Sequence, residues 1–251
     1  MRQGQPSGLY GLDILPAQRL LLQNALADWP RRSAPMLVVN CGSGDFLPFL
    51  WQAGFDIMAT EEDKKLRELA AAKSVPGLDI RAAADTDLPF EDETFDWTIV
   101  HALSGNNERL EKSSREARRV SRRGFMFVFW NITSLPLLYW RLFHRTNWPM
   151  PSASWRRVWQ VARKQSCGKV RTFAILPCPP GSRLPGKIKR WLNRQMSFLP
   201  LGAWCIVRVD FYPARPFTGL PLRVDSGFAK AEAGIEWAHE RIAQKKQDNE
   251  Q

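Results

Sequence analysis

The sequence predicts an α/β fold: a doubly wound, mostly parallel seven-stranded sheet with helices on both faces and a basic, Trp-rich insertion before the last strand. Three observations carry that expectation. Short apolar runs alternate with helical patterns from Pro16 to Trp130. The first of these runs, Met36–Val39, breaks into a turn of small residues, Cys41-Gly42-Ser43-Gly44. A later run, Gly124–Trp130, is apolar throughout, as a central strand covered on both faces should be.

The elements follow in order. Pro16–Asp28, with leucines at 20, 21, 22 and 26, predicts a helix opened by a proline and stopped before Pro30. Met36–Val39 is the first strand. Phe46–Ala53 is a short helix with Pro48 in its first turn, where a missing N–H costs little. Phe55–Thr60 is the second strand, and Glu62–Lys73 a helix with Leu66, Leu69 and Ala70 turned inward. Asp79–Ala84 is the third strand and Phe95–His101 the fourth, with a turn at Leu88-Pro89 between them. A polar helix over Asn106–Val120 leads to the fifth strand, Gly124–Trp130.

The pattern then loosens. Leu135–Phe143 is a short apolar, aromatic segment. Ser154–Lys164 predicts an amphipathic helix with Trp155, Val158, Trp159 and Ala162 on one side. Lys169–Leu176 and Trp204–Phe211 complete the sheet, separated by the Pro-rich, basic insertion Pro177–Pro200. Gly227–Lys246 predicts a last helix. A single domain over 1–251 is expected, with a core at 36–130, a lid and sheet-completing region at 131–215, and a C-terminal extension at 216–251.

Charge is distributed unevenly. Residues 1–116 hold 12 basic and 18 acidic groups, whereas 117–209 hold 18 basic groups, no acid, and seven of the eleven tryptophans. Such a surface attracts an anionic partner: nucleic acid, anionic lipid or an acidic small molecule. The bland alternative, an ordinary solvated face, stays open. The four cysteines form no CxxC pair and no zinc spacing with the three histidines, so no metal is expected and free thiols in a reducing compartment are the simplest expectation. No signal-peptide core and no run of eighteen apolar residues is present, which predicts a cytoplasmic protein without a spanning helix.

The Gly turn suggests a ligand site. Small residues let a backbone approach a ligand closely, and the free N–H groups of the following helix suit a carboxylate or phosphate. Glu61 follows the second strand, nineteen residues after Gly42, where a carboxylate can accept from both hydroxyls of a ribose. Glu62 stands beside it, though an acid here also suits a helix N-terminus. Asp85 follows the third strand, flanked by Ala84 and Thr86, where an acid or backbone pair can reach an adenine amino group; a turn-capping Asp is the alternative. Leu47 stands where a dinucleotide fingerprint needs its third glycine, and no Lys-Ser or Lys-Thr pair follows the turn, which excludes a dinucleotide site and a P-loop.

These residues resemble a family. Leu37-Val38-Val39-Asn40-Cys41-Gly42-Ser43-Gly44, Ala53-Gly54-Phe55-Asp56 leading to Glu61, Leu88-Pro89-Phe90 leading to Phe95-Asp96, and Glu116-Ala117-Arg118-Arg119-Val120 are together similar to class I S-adenosylmethionine-dependent methyltransferases. Within them the resemblance is to the small-molecule group that includes quinone-biosynthesis enzymes. It spans about residues 36–130 and implies a Rossmann-like sheet with S-adenosyl-L-methionine held by Asn40, Cys41, Gly42, Ser43, Gly44, Glu61, Glu62, Ala84, Asp85 and Thr86. Three positions depart from the family pattern: Val38 replaces the acid of the first strand, Asn40 its first glycine, and Ala84 the usual adenine-side acid. These departures motivate a second function class, a methyltransferase-like binding or assembly protein without turnover.

Methyl transfer from a sulfonium needs alignment and a dry site rather than a metal or a covalent nucleophile. His101, ending the fourth strand, is the candidate base, against the alternative of a buried, satisfied histidine. Asn106 and Asn107 are candidates to orient the acceptor, or caps. Tyr10–Leu15, Ser134–Pro151 and Pro177–Pro200 are the candidate lids. Trp140, Trp148 and Trp191 with Lys187, Lys189, Arg190 and Arg194 suit a small or lipid-like anionic acceptor, or peripheral contact with an anionic membrane. Nucleic acid is a weaker partner class, because no recognition motif accompanies the aromatics.

Overall fold

The computed structural model describes residues 15–32, 34–73, 75–101, 107–143, 152–165, 168–175, 187 and 202–211. The chain divides into two units, Met1–Phe217 and Thr218–Gln251, and every described residue belongs to the first. The expected helix Gly227–Lys246, most of the insertion Pro177–Pro200, Asn106, and the side chain of Trp140 lie outside the described residues, as do Trp148, Lys189, Arg190, Trp191 and Arg194.

The elements are α1 (Leu15–Ala25), β1 (Ala34–Val39), α2 (Leu47–Gln52), β2 (Phe55–Thr60), α3 (Lys64–Ala71), β3 (Asp79–Arg81), β4 (Phe95–His101), α4 (Asn107–Val120) and β5 (Ser121–Asn131). They are followed by α5 (Leu135–Phe143), β6 (Ser152–Ala153), α6 (Trp155–Lys164), β7 (Lys169–Ile175) and β8 (Trp204–Asp210). Among the described residues the strand order is β3-β2-β1-β4-β5-β8-β7. Pairings from β3 through β5 are parallel, whereas β8 runs antiparallel to β5 and β7. The expected seven strands thus form one continuous sheet, and the two-residue β6, which the sequence did not signal, adds to the end of β5. Chain order reverses between β1 and β4, which opens a crevice at their carboxyl ends.

Two apolar layers sandwich the sheet, and strand alternation assigns the residues. Met36 and Val38 join Leu21, Leu22, Leu47 and Leu50 of α1 and α2 on one face. Leu37 and Val39 join Phe125, Phe127, Phe129, Leu110 and Val158 on the other, under α4 and α6. Every residue of β4 and β8 is buried, as expected for strands covered on both sides.

Several boundaries or placements differ from the sequence expectation; β5, for one, starts at Ser121 rather than Gly124. α1 ends at Ala25 rather than Asp28, and Leu26–Asp28 form a turn. α3 starts at Lys64 rather than Glu62, because the Asp63 carboxylate caps it by accepting from the N–H groups of Lys65 (2.7 Å) and Leu66 (3.2 Å). On that helix Ala70 is buried, and Leu69, about 100° round the axis, is exposed rather than turned inward. β3 stops at Arg81 rather than Ala84, because Ala84 turns back to bridge Asp87.

A charged cluster lies under the amino-terminal edge of β5. Asp210, opposite Gly124 and Lys169, is buried. Its carboxylate accepts from Trp29 Nε1 (2.9 Å) and from Arg208 Nε (2.8 Å). Arg208 is fully buried, donates to the Ala25 carbonyl at the end of α1, and lies over the Trp29 ring (5.0 Å). Trp29 in turn stacks on Trp97 at 4.1 Å. Arg208, paired with Asp210, thus fastens α1 to the last strand through the Ala25 carbonyl.

Candidate functional site

Local backbone geometry builds the turn after β1. Asn40, Gly42 and Gly44 have φ of 54°, 59° and 76°. The left-handed region admits glycine freely and, among other residues, Asn and Asp best. Asn40 can therefore hold this bend without being a glycine. Its Nδ2 donates to the His101 carbonyl (3.4 Å), tying the end of β1 to the end of β4.

The two glycines serve different ends. A Cβ on Gly44 would lie 2.9 Å from Ala70 Cα and 3.1 Å from Leu47 Cδ1, so this glycine lets α3 pack onto the turn. A Cβ on Gly42 would meet nothing within 4 Å. Gly42 faces open space, the cradle that a close-lying ligand needs.

Glu61 holds that cradle in shape. It is buried at the end of β2; one carboxylate oxygen accepts from Gly42 N–H (2.8 Å) and the other from Asp63 N–H (3.2 Å). A carboxylate offers about four lone-pair sites. Two remain for hydroxyl donors, so the residues present fit a ribose. Burial, then the nearby Glu61 charge, push the Cys41 thiol up to about 12. It stays protonated at neutral pH and is no nucleophile there.

A cleft of about 340 Å³ is lined by Glu62, Ala84, Thr86, Glu108, Arg109 and Lys112, and so gathers three of the expected cofactor residues. Asp85 is not among them. It is buried, and its Oδ1 accepts from Arg109 Nε (3.1 Å) and Nη2 (2.8 Å). Arg109 was not expected at the site; its partner stands 24 residues away, with no local signal linking the two. A larger cleft of about 590 Å³ between α4 and α6 is lined in part by Asn107 and touches none of the expected cofactor residues. The smaller one is the candidate cofactor cleft, because it opens beside the ends of β2 and β3.

His101 is buried, and burial lowers its pKa to about 4. Its ring stacks on Phe46 (5.3 Å), which stacks on Trp204 (5.8 Å), and its Nε2 has no hydrogen-bond partner. The alternative of a satisfied core histidine does not hold at this nitrogen. Among the described residues, no three His, Cys, Asp or Glu side chains gather where they could hold a metal ion.

Two segments that the sequence offered as separate motifs meet in space. Glu116 accepts from Leu88 N–H (2.9 Å) and pairs with Arg119 (2.7 Å). Arg119 donates to the Leu88 carbonyl (3.0 Å), the Phe90 carbonyl (2.6 Å) and Asp92 (3.0 Å). The end of α4 thus clamps the loop that carries Leu88-Pro89-Phe90 and follows Asp85–Thr86. The Arg119 hydrogen bond holds the Glu116 carboxyl below its ordinary range. A depressed folded-state pKa gives stability that is full above the unfolded carboxylate value and lost as pH falls through the lowered one. Arg119→Met is expected to cost about 1–3 kcal/mol and to speed amide exchange at Leu88, with the loss shrinking in acid. Native-state hydrogen exchange between pH 7 and pH 3 measures both; exchange unchanged by the substitution would remove the clamp.

Comparison with known proteins agrees with this geometry. Residues 37–129 match the family described as "Methyltransferase domain". An uncharacterized protein of Methanocaldococcus jannaschii is 33% identical over 89 residues, which are 35% of this chain and 40% of that protein, so the match spans less than half of the curated relative. The fold is similar to a Thermotoga maritima SAM-dependent methyltransferase described as a "possible histamine N-methyltransferase", at 16% identity and TM-score 0.57, covering 79% of this chain and 93% of the other. It is also similar to the magnesium protoporphyrin IX methyltransferase of Synechocystis PCC 6803 with bound SAH, at 11% identity and TM-score 0.61, covering 84% and 90%. A SAM-dependent methyltransferase from Aquifex aeolicus matches at 15% identity and TM-score 0.52, covering 84% and 100%. Residues 37–129 of this chain thus match a methyltransferase domain, and the chain shares the fold of these solved methyltransferases.

Proposed function

We propose that this chain transfers a methyl group from S-adenosylmethionine to a small or lipid-like, anionic acceptor, as a member of the small-molecule, quinone-biosynthesis-like group. The supporting observation is the open side of Gly42 in a bend held by buried Glu61, next to the cleft of Glu62, Ala84 and Thr86. The bound cofactor supplies an electrophilic methyl on a sulfonium. The chain's own residues do the rest. Glu61 offers its two remaining acceptor positions to the ribose hydroxyls. Backbone N–H groups around Ser43 face the amino-acid end. Ala84 and Thr86 border the adenine, and Asp85 acts through Arg109. His101, neutral at pH 7, presents Nε2 to the acceptor and orients its O–H or N–H. Full proton uptake there is costly, because imidazolium would be buried. Phe46 and Trp204 help to exclude water from that side. The basic, aromatic region after β5 contacts the acceptor or an anionic membrane, and the protein works in the cytoplasm.

A second function class has one observation in its favour. Val38 is buried in the core, so no acid from β1 reaches the amino end of the cofactor. A binding or assembly protein without turnover follows if nothing replaces that acid. Titration calorimetry with S-adenosylhomocysteine, then turnover on candidate acceptors, separates the two. Glu61→Ala is expected to weaken S-adenosylhomocysteine by about 1–3 kcal/mol, or five- to 150-fold. Undiminished affinity in that variant would remove the ribose role.

A further inference from the structure

We propose that the cleft between α4 and α6 is a second ligand site, one that takes a phosphomonoester on an apolar or aromatic stem. Its volume of about 590 Å³ is that of a small-molecule site. The gap is built into the fold. Leu110 and Ala117 of α4 and Val158, Val161 and Ala162 of α6 are buried in one apolar layer against the sheet, so the same core fixes both walls. Spacings of three and four residues put Arg157, Gln160, Val161 and Lys164 on one face of α6, and all four line the cleft. α4 also borders the cofactor cleft, but with other residues: Asn107 and Glu111 line this cleft, Glu108 and Lys112 that one. Such a site lies beyond methyl transfer and needs none of it.

Charge selects the ligand. Among the described residues lining the cleft are three cations, Arg157, Arg163 and Lys164, and one acid, Glu111. Three against one leaves an excess of two positive charges, and α6 itself carries no acid. A phosphomonoester carries about −1.5 to −2 at neutral pH, which balances that excess. A phosphodiester carries a single charge and leaves half of it unmatched. The positive field is also local. Glu108 and Glu111 stand on the same turns of α4, and Glu108 holds Lys112 at 2.8 Å, so the cations do not continue across α4 as a track for a nucleic-acid backbone would.

Two of the cations are held ready. Lys164 Nζ stands 3.1 Å from Glu111 Oε1 across the cleft. Both partners are well exposed, so the pair is worth little and an incoming anion displaces the carboxylate at small cost. The Arg163 guanidinium lies over the Trp159 ring at 5.1 Å. Trp159 stacks on Trp155 at 6.2 Å, and Trp155 Nε1 donates to Thr172 Oγ1 on β7 (3.4 Å), so this chain of contacts ties the arginine to the sheet. Cations placed in advance lose less side-chain freedom when a ligand arrives. A guanidinium fork also matches two oxygens of one phosphate. Trp159 and Val161 supply apolar surface for the stem.

Titration calorimetry of the full chain with phenyl phosphate tests it. Wild type is expected to bind phenyl phosphate saturably, and to bind methyl phenyl phosphate, the same stem with one charge fewer, roughly tenfold more weakly. Arg157→Gln/Arg163→Gln should weaken phenyl phosphate on the order of tenfold or more, with the thermal midpoint unchanged. Glu111→Gln should instead tighten it severalfold, because no carboxylate then competes for Lys164. Packing alone would not give the two substitutions opposite signs. If the double variant does not fold, Lys164→Gln carries the same expectation of weaker binding. No saturable heat at millimolar phenyl phosphate, or equal affinity in wild type and the arginine variant, overturns the inference. So does a diester that binds as tightly as the monoester. Competition by S-adenosylhomocysteine also overturns it, because the phosphate would then sit in the cofactor cleft beside Arg109 and Lys112. A single-stranded oligonucleotide that binds more tightly than phenyl phosphate, and is lost in the same variants, overturns it in favour of a nucleic-acid surface.

Discussion

Asp210→Ala is expected to destabilise the fold by about 3–5 kcal/mol, measured by urea unfolding. The substitution removes the nearer counter-charge of Arg208, which is fully buried, leaving among the described residues only Asp28 at 4.0 Å, and strips Trp29 Nε1 of its acceptor. A guanidinium cannot shed its proton to escape, and the more distant Asp28 offsets only part of its desolvation. The pair itself adds little net stability, because burying both charges is costly too. The double variant Arg208→Met/Asp210→Leu should therefore recover most of the loss. If the single variant unfolds at the wild-type midpoint, the cluster is water-accessible and does not fasten α1 to β8.

The second large effect is expected at Gly44. Gly44→Ala forces an L-residue to φ 76° and drives a methyl to 2.9 Å from the Ala70 Cα, a backbone atom that cannot swing away. The conformational penalty is about 1–2 kcal/mol, and overpacking adds about 1–3 kcal/mol. Because α3 carries Asp63, whose N–H Glu61 holds, displacing it should also disturb the Gly42 cradle. S-adenosylhomocysteine binding should fall together with stability. Gly42→Ala is the control: with φ 59° and open space at its Cβ it should lose only the conformational penalty of about 1–2 kcal/mol yet still lose affinity, the methyl entering the ligand side. Equal unfolding midpoints for the two variants would show that α3 does not bear on the turn.

Much of the site was legible because its signals are local. A strand, a small-residue turn and an acid at the next strand's end follow from composition and spacing, and Gly42, Gly44 and Glu61 indeed converge. Glu62, Ala84 and Thr86 share one cleft for the same reason: parallel strands bring their carboxyl ends to one edge. Asp85 shows the limit. Its position was legible, but its engagement by Arg109 depends on how α4 packs over the β3–β4 loop. His101 was legible as the end of a strand; its unpartnered Nε2 and the Phe46 stack were not.

By itself the sequence determined the succession of strands and helices along the core, the ligand-side turn and the separation of acidic and basic halves, because hydrophobic period, glycine freedom and charge are properties of residues close together in the chain. Only the tertiary structure decided which carboxylates stay available, which end in an arginine fork, and which apolar residues of α5 lie outside. Those outcomes depend on partners brought together by packing, as with Asp85 and Arg109, Glu116 and Leu88, or Asp210 and Trp29. No local pattern encodes such meetings, because the free energy that selects them belongs to the assembled sheet and its two covering layers.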